Sequence, residues 1–128
     1  MACDVEYTDE FEVWWNGLSE SEQIKVDASV RMLEEHGPNL SFPASSGVKS
    51  SRHSHMRELR IQSQGKPLRV LYAFNPERNA ILLVGGDKTG DDRWYEKNVP
   101  IADALYERHI EELKLTEKAG KIHGKEIQ

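Results

Sequence analysis

The sequence predicts an α+β domain: an N-terminal helical hairpin packed on a small twisted, mainly antiparallel sheet, with a C-terminal helix. Three observations predict it. Apolar residues recur at helical spacing through residues 9–36, the period changes to two over 56–74, and helical spacing returns after Pro100. At 128 residues the chain is long enough for one core and too short for two, so residues 1–118 are expected to form a single domain. The polar, Lys-rich residues 119–128 read as a flexible tail.

Each element has a local cause. Val5 and Tyr7 alternate with charged neighbours in Asp4–Tyr7, as in an edge strand. Thr8 is suited to cap a helix over Asp9–Leu18, whose first turn carries Asp9 and Glu10 where the helix dipole favours anions. Phe11, Trp14, Trp15 and Leu18 share helical spacing, and Asn16-Gly17 ends the segment. Ser19-Glu20-Ser21-Glu22 matches a capping box and opens a second helix. Ile24, Ala28 and Met32 form one apolar row along it, and Val26, Val30 and Leu33 another, as expected of a helix wedged between two neighbours. Gly37 and Pro38 stop it.

Residues 39–54, rich in Ser, Pro and Gly, read as a loop. Met56–Gln62 then places Arg57, Leu59 and Ile61 on one face and Glu58, Arg60 and Gln62 on the other. After a turn, Leu68–Phe74 returns, with Leu68, Val70, Tyr72 and Phe74 facing the helices and Arg69 on the opposite side beside the small Ala73. Ala80–Val84 is apolar throughout, as a strand buried on both faces is. These three strands form an antiparallel meander, with all helices expected on one side. Residues 87–98 read as a polar loop, and the last helix is expected over about Ile101–Leu115.

Composition narrows the function. No apolar run reaches the length of a membrane span, and the acidic N-terminus lacks the pattern of a signal peptide, so a cytoplasmic protein with no membrane partner is expected. One cysteine, Cys3, excludes an internal disulfide and a cysteine-built zinc site. The net charge of -5 is unevenly spread. Residues 1–46 carry a net -8, residues 47–100 a net +4 and residues 101–128 a net -1. A cationic segment on an acidic protein keeps a nucleic-acid partner open.

Three strings, in this order, carry a family resemblance: Glu58-Leu59-Arg60, Arg69-Val70-Leu71-Tyr72, and Ile81–Lys88 running from an apolar strand into a lysine-bearing loop. With the helical hairpin before them and Asn98-Val99-Pro100-Ile101-Ala102-Asp103-Ala104-Leu105 after them, the chain resembles the RelE/HigB superfamily, in its phage-derived HigB-like branch, over about residues 4–115. The resemblance implies a RelE-like fold and the toxin of a type II toxin–antitoxin system, a ribosome-dependent mRNA endoribonuclease that needs no cofactor or metal. It implies as partners the ribosome, mRNA and an antitoxin, in this branch usually of helix-turn-helix type. Two alternatives stay open: a ParE-like gyrase inhibitor without nuclease activity, and a non-toxic partner-binding module of the same fold.

Metal-free RNA cleavage needs a base for the 2′-OH, cations for the phosphate and an acid for the leaving oxygen. Arg60 and Arg69 are expected on one sheet face. The resemblance casts Arg69 as a stabiliser of the phosphate and Lys88 as a phosphate-binding lysine, although Asp87 stands where relatives often carry a second lysine. Tyr95 is a candidate for base stacking or proton transfer, and His55 for a catalytic base near neutral pH. Lys49, Arg52, His53, Arg57, Arg93 and Trp94 complete the candidate RNA contacts, Trp94 weighed against a place in the core. Gly85–Gly90 lacks the lysine position and following helix of a P-loop, and Asp91-Asp92 lacks further carboxylates for a metal. Of Trp14 and Trp15, one is expected in the core and the other at the antitoxin interface.

Overall fold

The structure, a computed structural model, describes residues 2–127, with side chains described to residue 118. Its elements are β1 (Val5–Tyr7), α1 (Asp9–Asn16), α2 (Glu20–His36), a 3-10 turn (Gly37–Asn39), β2 (Ser45–Gly47), β3 (Arg57–Ser63), β4 (Lys66–Phe74), β5 (Ala80–Asp87) and α3 (Trp94–Ile127). The strands form one sheet in the order β1-β5-β4-β3-β2. All pairings are antiparallel except β1 with β5.

The helical hairpin forms for the local reasons read from the sequence. The Thr8 hydroxyl accepts from the Phe11 N–H at 3.0 Å and caps α1. Ser19 and Glu22 complete a capping box at the start of α2. Gly37 ends α2 at a φ of 54°, a backbone conformation that side chains other than glycine resist.

The sheet has helices on both faces, not on one as expected. Leu59, Leu68, Val70 and Tyr72 join Phe11, Val26 and Leu33 in a core under the hairpin. Leu71, Ala73, Ile81 and Leu83 join Trp94, Val99 and Ala102 in a second core under α3. A register shift where β4 meets β5, at Leu71/Tyr72, sets the extra residue on β5. Leu83 and Val84 therefore both serve the α3 side. The apolar residues on both faces of β4 and β5 are the reason for the two layers: an amphipathic α3 has to cover the second.

Two elements differ from expectation. β2 arises within the expected loop, where buried Ser45 donates or accepts at 2.6 Å with the Tyr72 hydroxyl. The expected last helix is present but begins at Trp94, within the expected polar loop, and carries Pro100 inside it. Its start is fixed by Asp91, whose carboxylate accepts from the Arg93 N–H at 3.0 Å and whose carbonyl accepts from the Trp94 N–H at 3.3 Å. Pro100 and Glu96, whose carbonyl loses its helical partner, are both exposed, while Trp94 and Val99 in the same turns are buried. The helical backbone continues to Ile127, through most of the expected tail. Side chains from residue 119 on, and Gln128 entirely, lie outside the described residues.

The two tryptophans of α1 are not divided between core and surface. Both are half-buried and both pack against the hairpin core.

Candidate functional site

On the α3 side of the sheet, near the first turn of α3, the strands assemble a polar cluster. Arg60 on β3 lies directly opposite Arg69 on β4, so the two guanidinium groups share one face, as the alternation predicted. Glu58, two residues before Arg60, belongs to the same face. Its carboxylate is the centre of the cluster and only 5% exposed. Oε1 accepts the Tyr95 hydroxyl at 2.5 Å and lies 3.5 Å from Arg69 Nε. Oε2 accepts the Ser46 hydroxyl at 2.7 Å and lies 3.5 Å from Arg60 Nη1.

Arg69 is equally buried. Its Nη1 donates to the Leu68 carbonyl at 3.0 Å, while Nε has no hydrogen-bond partner. A buried guanidinium with a free donor, held by one carboxylate, is a strong local positive charge with unused hydrogen-bonding capacity. Burial, then the hydrogen bond and charge of Glu58, push the Tyr95 phenol above its ordinary value. It is therefore neutral at neutral pH, a donor and not a phenolate base. Lys88, half-buried at the end of β5, sets Nζ 5.9 Å from the Tyr95 ring centre. Arg60 faces the exposed Phe42 ring at 5.2 Å.

Two open cavities flank the cluster. One of about 380 Å³ is lined by Pro43, Ala44, Arg60, Gln62 and Arg69. The other, about 280 Å³, is lined by Gly47, Val48, Lys49, Ser50, Glu58 and Tyr95. Among the expected residues, Arg60, Arg69, Lys88, Tyr95 and Lys49 thus come together.

The others do not. Trp94 is 4% exposed and packed over Gly86 in the α3 core, so it has no free ring face for a base. Arg57 points to the hairpin side, where it donates to Ser45 Oγ at 3.0 Å. Arg93 is exposed and forked onto Glu96 at 2.8 and 3.0 Å. His55, expected as a base, contacts the Tyr106 hydroxyl at 3.2 Å. Tyr106 is three turns along α3 from Tyr95, about 16 Å away. Arg52 and His53 both contact Glu107, one residue further on in the same region. These three belong to the joint between the 48–56 loop and α3, away from the arginine pair.

Glu58 is the site residue that sequence reasoning missed. Its signal was present: a lone carboxylate at two-residue spacing from Arg60, on the strand face that also receives Arg69. No three or more His, Cys, Asp or Glu side chains gather to hold a metal ion among the described residues.

Residues 13–107 match the family described as phage-derived protein Gp49-like (DUF891). The chain belongs to the Gp49-like family. This Gp49-like protein is 40% identical over 116 residues to HigB2 of Mycobacterium tuberculosis, covering 86% of its own length and 58% of that protein's. It is 42% identical over 100 residues to HigB3 of the same organism, covering 77% and 86%. Both relatives carry toxin names, and the chain spans little more than half the length of HigB2. The fold is similar to that of a mutant of the Escherichia coli toxin RelE in the free state, with a TM-score of 0.58 at 11% identity over 84% of this chain and 98% of that one. Family and fold together place it in the RelE/HigB superfamily.

Proposed function

We propose that this Gp49-like protein is the toxin of a type II toxin–antitoxin pair and a ribosome-dependent mRNA endoribonuclease acting in the cytoplasm. The observation that carries the reading is the convergence of Arg60, Arg69, Lys88 and Tyr95 on one sheet face beside two open cavities. In the reaction, the 2′-oxygen attacks the adjacent phosphorus and the bond from phosphorus to the 5′-oxygen breaks. The 2′-OH gives up its proton and the leaving 5′-oxygen gains one, leaving a cyclic phosphate and a 5′-OH; no cofactor is consumed. Arg69 and Arg60 stabilise the charge that develops on the phosphate, and Lys88, less buried than Arg69, binds it first. Tyr95 orders the nucleotide beside it. His55 and Trp94 have no part in this assignment, because one contacts Tyr106 and the other is in the core.

Toxicity requires a neutralising partner, and a helix-turn-helix antitoxin is the class expected for this branch. The test is induced expression of wild type, Lys88→Ala and Arg69→Ala, reading mRNA integrity and DNA damage together. Cleaved mRNA with wild type and intact mRNA with both variants is the expected result. Growth arrest with intact mRNA and a DNA-damage response would replace the nuclease with a gyrase inhibitor. Expression without growth arrest would replace it with a non-toxic binding module.

A further inference from the structure

Glu58 is buried in a place where relays and bases are usually sought, yet its carboxylate is already fully engaged by other side chains. Both of its oxygens are engaged, Oε1 by Tyr95 and Oε2 by Ser46, and an arginine lies 3.5 Å from each. A carboxylate so surrounded holds other groups in place. What it holds is the tip of Tyr95, whose ring borders the cavity of about 280 Å³ that Lys49 and Glu58 also line, with Lys88 Nζ 5.9 Å from the ring centre. The hydroxyl is committed to Glu58 and the ring is left as the working part.

We propose that Glu58 is a positioning residue that anchors the Tyr95 hydroxyl, making the Tyr95 ring a fixed stacking platform for an RNA base between Lys49 and Lys88. The proposal rests on the nuclease reading above and deepens it, since it assigns Tyr95 to base stacking and removes it from proton transfer. A base stacked there sets its own phosphate toward Lys88 and the arginine pair. Stacking on an aromatic ring is tolerant of base identity, so the platform fixes geometry and not sequence.

The test uses wild type, Tyr95→Phe, Glu58→Gln and Glu58→Ala, each checked for native circular dichroism. In an ultraviolet difference titration one raised phenol is expected to be missing in Tyr95→Phe, and that same phenol is expected to move down in Glu58→Gln, which keeps the acceptor and loses the charge. If it stays in place in folded Glu58→Gln, the anchor is refuted. In cleavage of ribosome-bound mRNA, Tyr95→Phe is expected to raise KM about tenfold with kcat little changed, the size of one lost hydrogen bond. Glu58→Gln is expected to stay nearer wild type than Tyr95→Phe, because its amide oxygen accepts the same hydroxyl. Where Glu58→Ala folds, adding Tyr95→Phe to it costs nothing further. A fall in kcat of about a hundredfold or more in Tyr95→Phe, with KM unchanged, would make the phenol a proton donor and overturn the platform. Should wild type cut no mRNA, the nuclease reading fails, and the titration still decides whether Glu58 holds Tyr95.

Discussion

A methyl group at either glycine of the Gly85-Gly86 pair would collide with a tryptophan. A Cβ at Gly85 would sit 2.1 Å from the Trp14 ring, and one at Gly86 would sit 2.5 Å from Trp94 Nε1, so the pair lets an indole lie on each face of β5. Trp14 is half-buried, whereas Trp94 is enclosed. Gly86→Ala is therefore expected to cost about 1–3 kcal/mol in urea unfolding, and Gly85→Ala less; equal or negligible losses would contradict this packing. Two phenols give the alkaline behaviour. Tyr95 and Tyr106 are both pushed above the ordinary tyrosine value, chiefly by burial. The unfolded chain then gives up these protons first as pH rises. Their contribution is fully present below about pH 10 and is lost as pH rises through the raised folded values. Tyr95→Phe should lose stability less steeply above about pH 10 than wild type, measured by urea midpoints across the alkaline range. An unchanged slope would show that Tyr95 has no raised phenol.

Elements divide into those built by neighbours in sequence and those built by contacts across the fold. The capping box of Ser19 and Glu22 is of the first kind, and Ser19→Ala is expected to cost about 1 kcal/mol of thermal or urea stability. The docking of the 48–56 loop on α3 is of the second kind. Asp103, only 2% exposed, accepts the Ser51 hydroxyl at 2.5 Å and the Arg52 N–H at 3.0 Å. Asp103→Ala should speed hydrogen exchange at residues 51–53 while leaving exchange in β4 unchanged, and slow exchange at all these sites would contradict the role given to it. The same division explains what was legible in the sequence. Thr8, Ser19 and Gly37 mark the helix ends through groups three or four residues apart, and the strict alternation of side chains along two neighbouring strands is enough to put Arg60 and Arg69 on one face. β2 was hidden because three residues, Ser45–Gly47, carry no period and are recruited by β3. The first turns of α3 were hidden behind Pro100, whose local cost is outweighed by burial of Trp94 and Val99. The second helical layer was legible in principle, since Leu71 and Ala73 left an apolar face uncovered. The face of Glu58 was legible from its spacing to Arg60, but its partners were not, because Ser46 and Tyr95 come from two elements that the sequence alone did not place beside it.

At the scale of the whole molecule, the net charge of -5 is unevenly spread along the chain. The hairpin lies within the acidic residues 1–46, and the arginine pair, Lys49 and Lys88 belong to the segment of net +4. So few accessible cations give weak attraction for free RNA, which suits an enzyme that receives its substrate from a larger assembly. Binding of a short single-stranded RNA should be weak and salt-dependent, and Lys88→Ala should lower the salt slope by about 0.7, the value for one phosphate contact on a single strand. An unaltered slope would remove Lys88 from the RNA surface. Ribosome-dependent cleavage is tested most directly with purified protein and one mRNA, presented free and on programmed ribosomes, with the 5′ ends mapped by primer extension. Cuts only in the ribosome-bound mRNA with wild type, and their loss with Lys88→Ala, are the expected result. Intact mRNA in every arm, or equal cutting by Lys88→Ala, would contradict it.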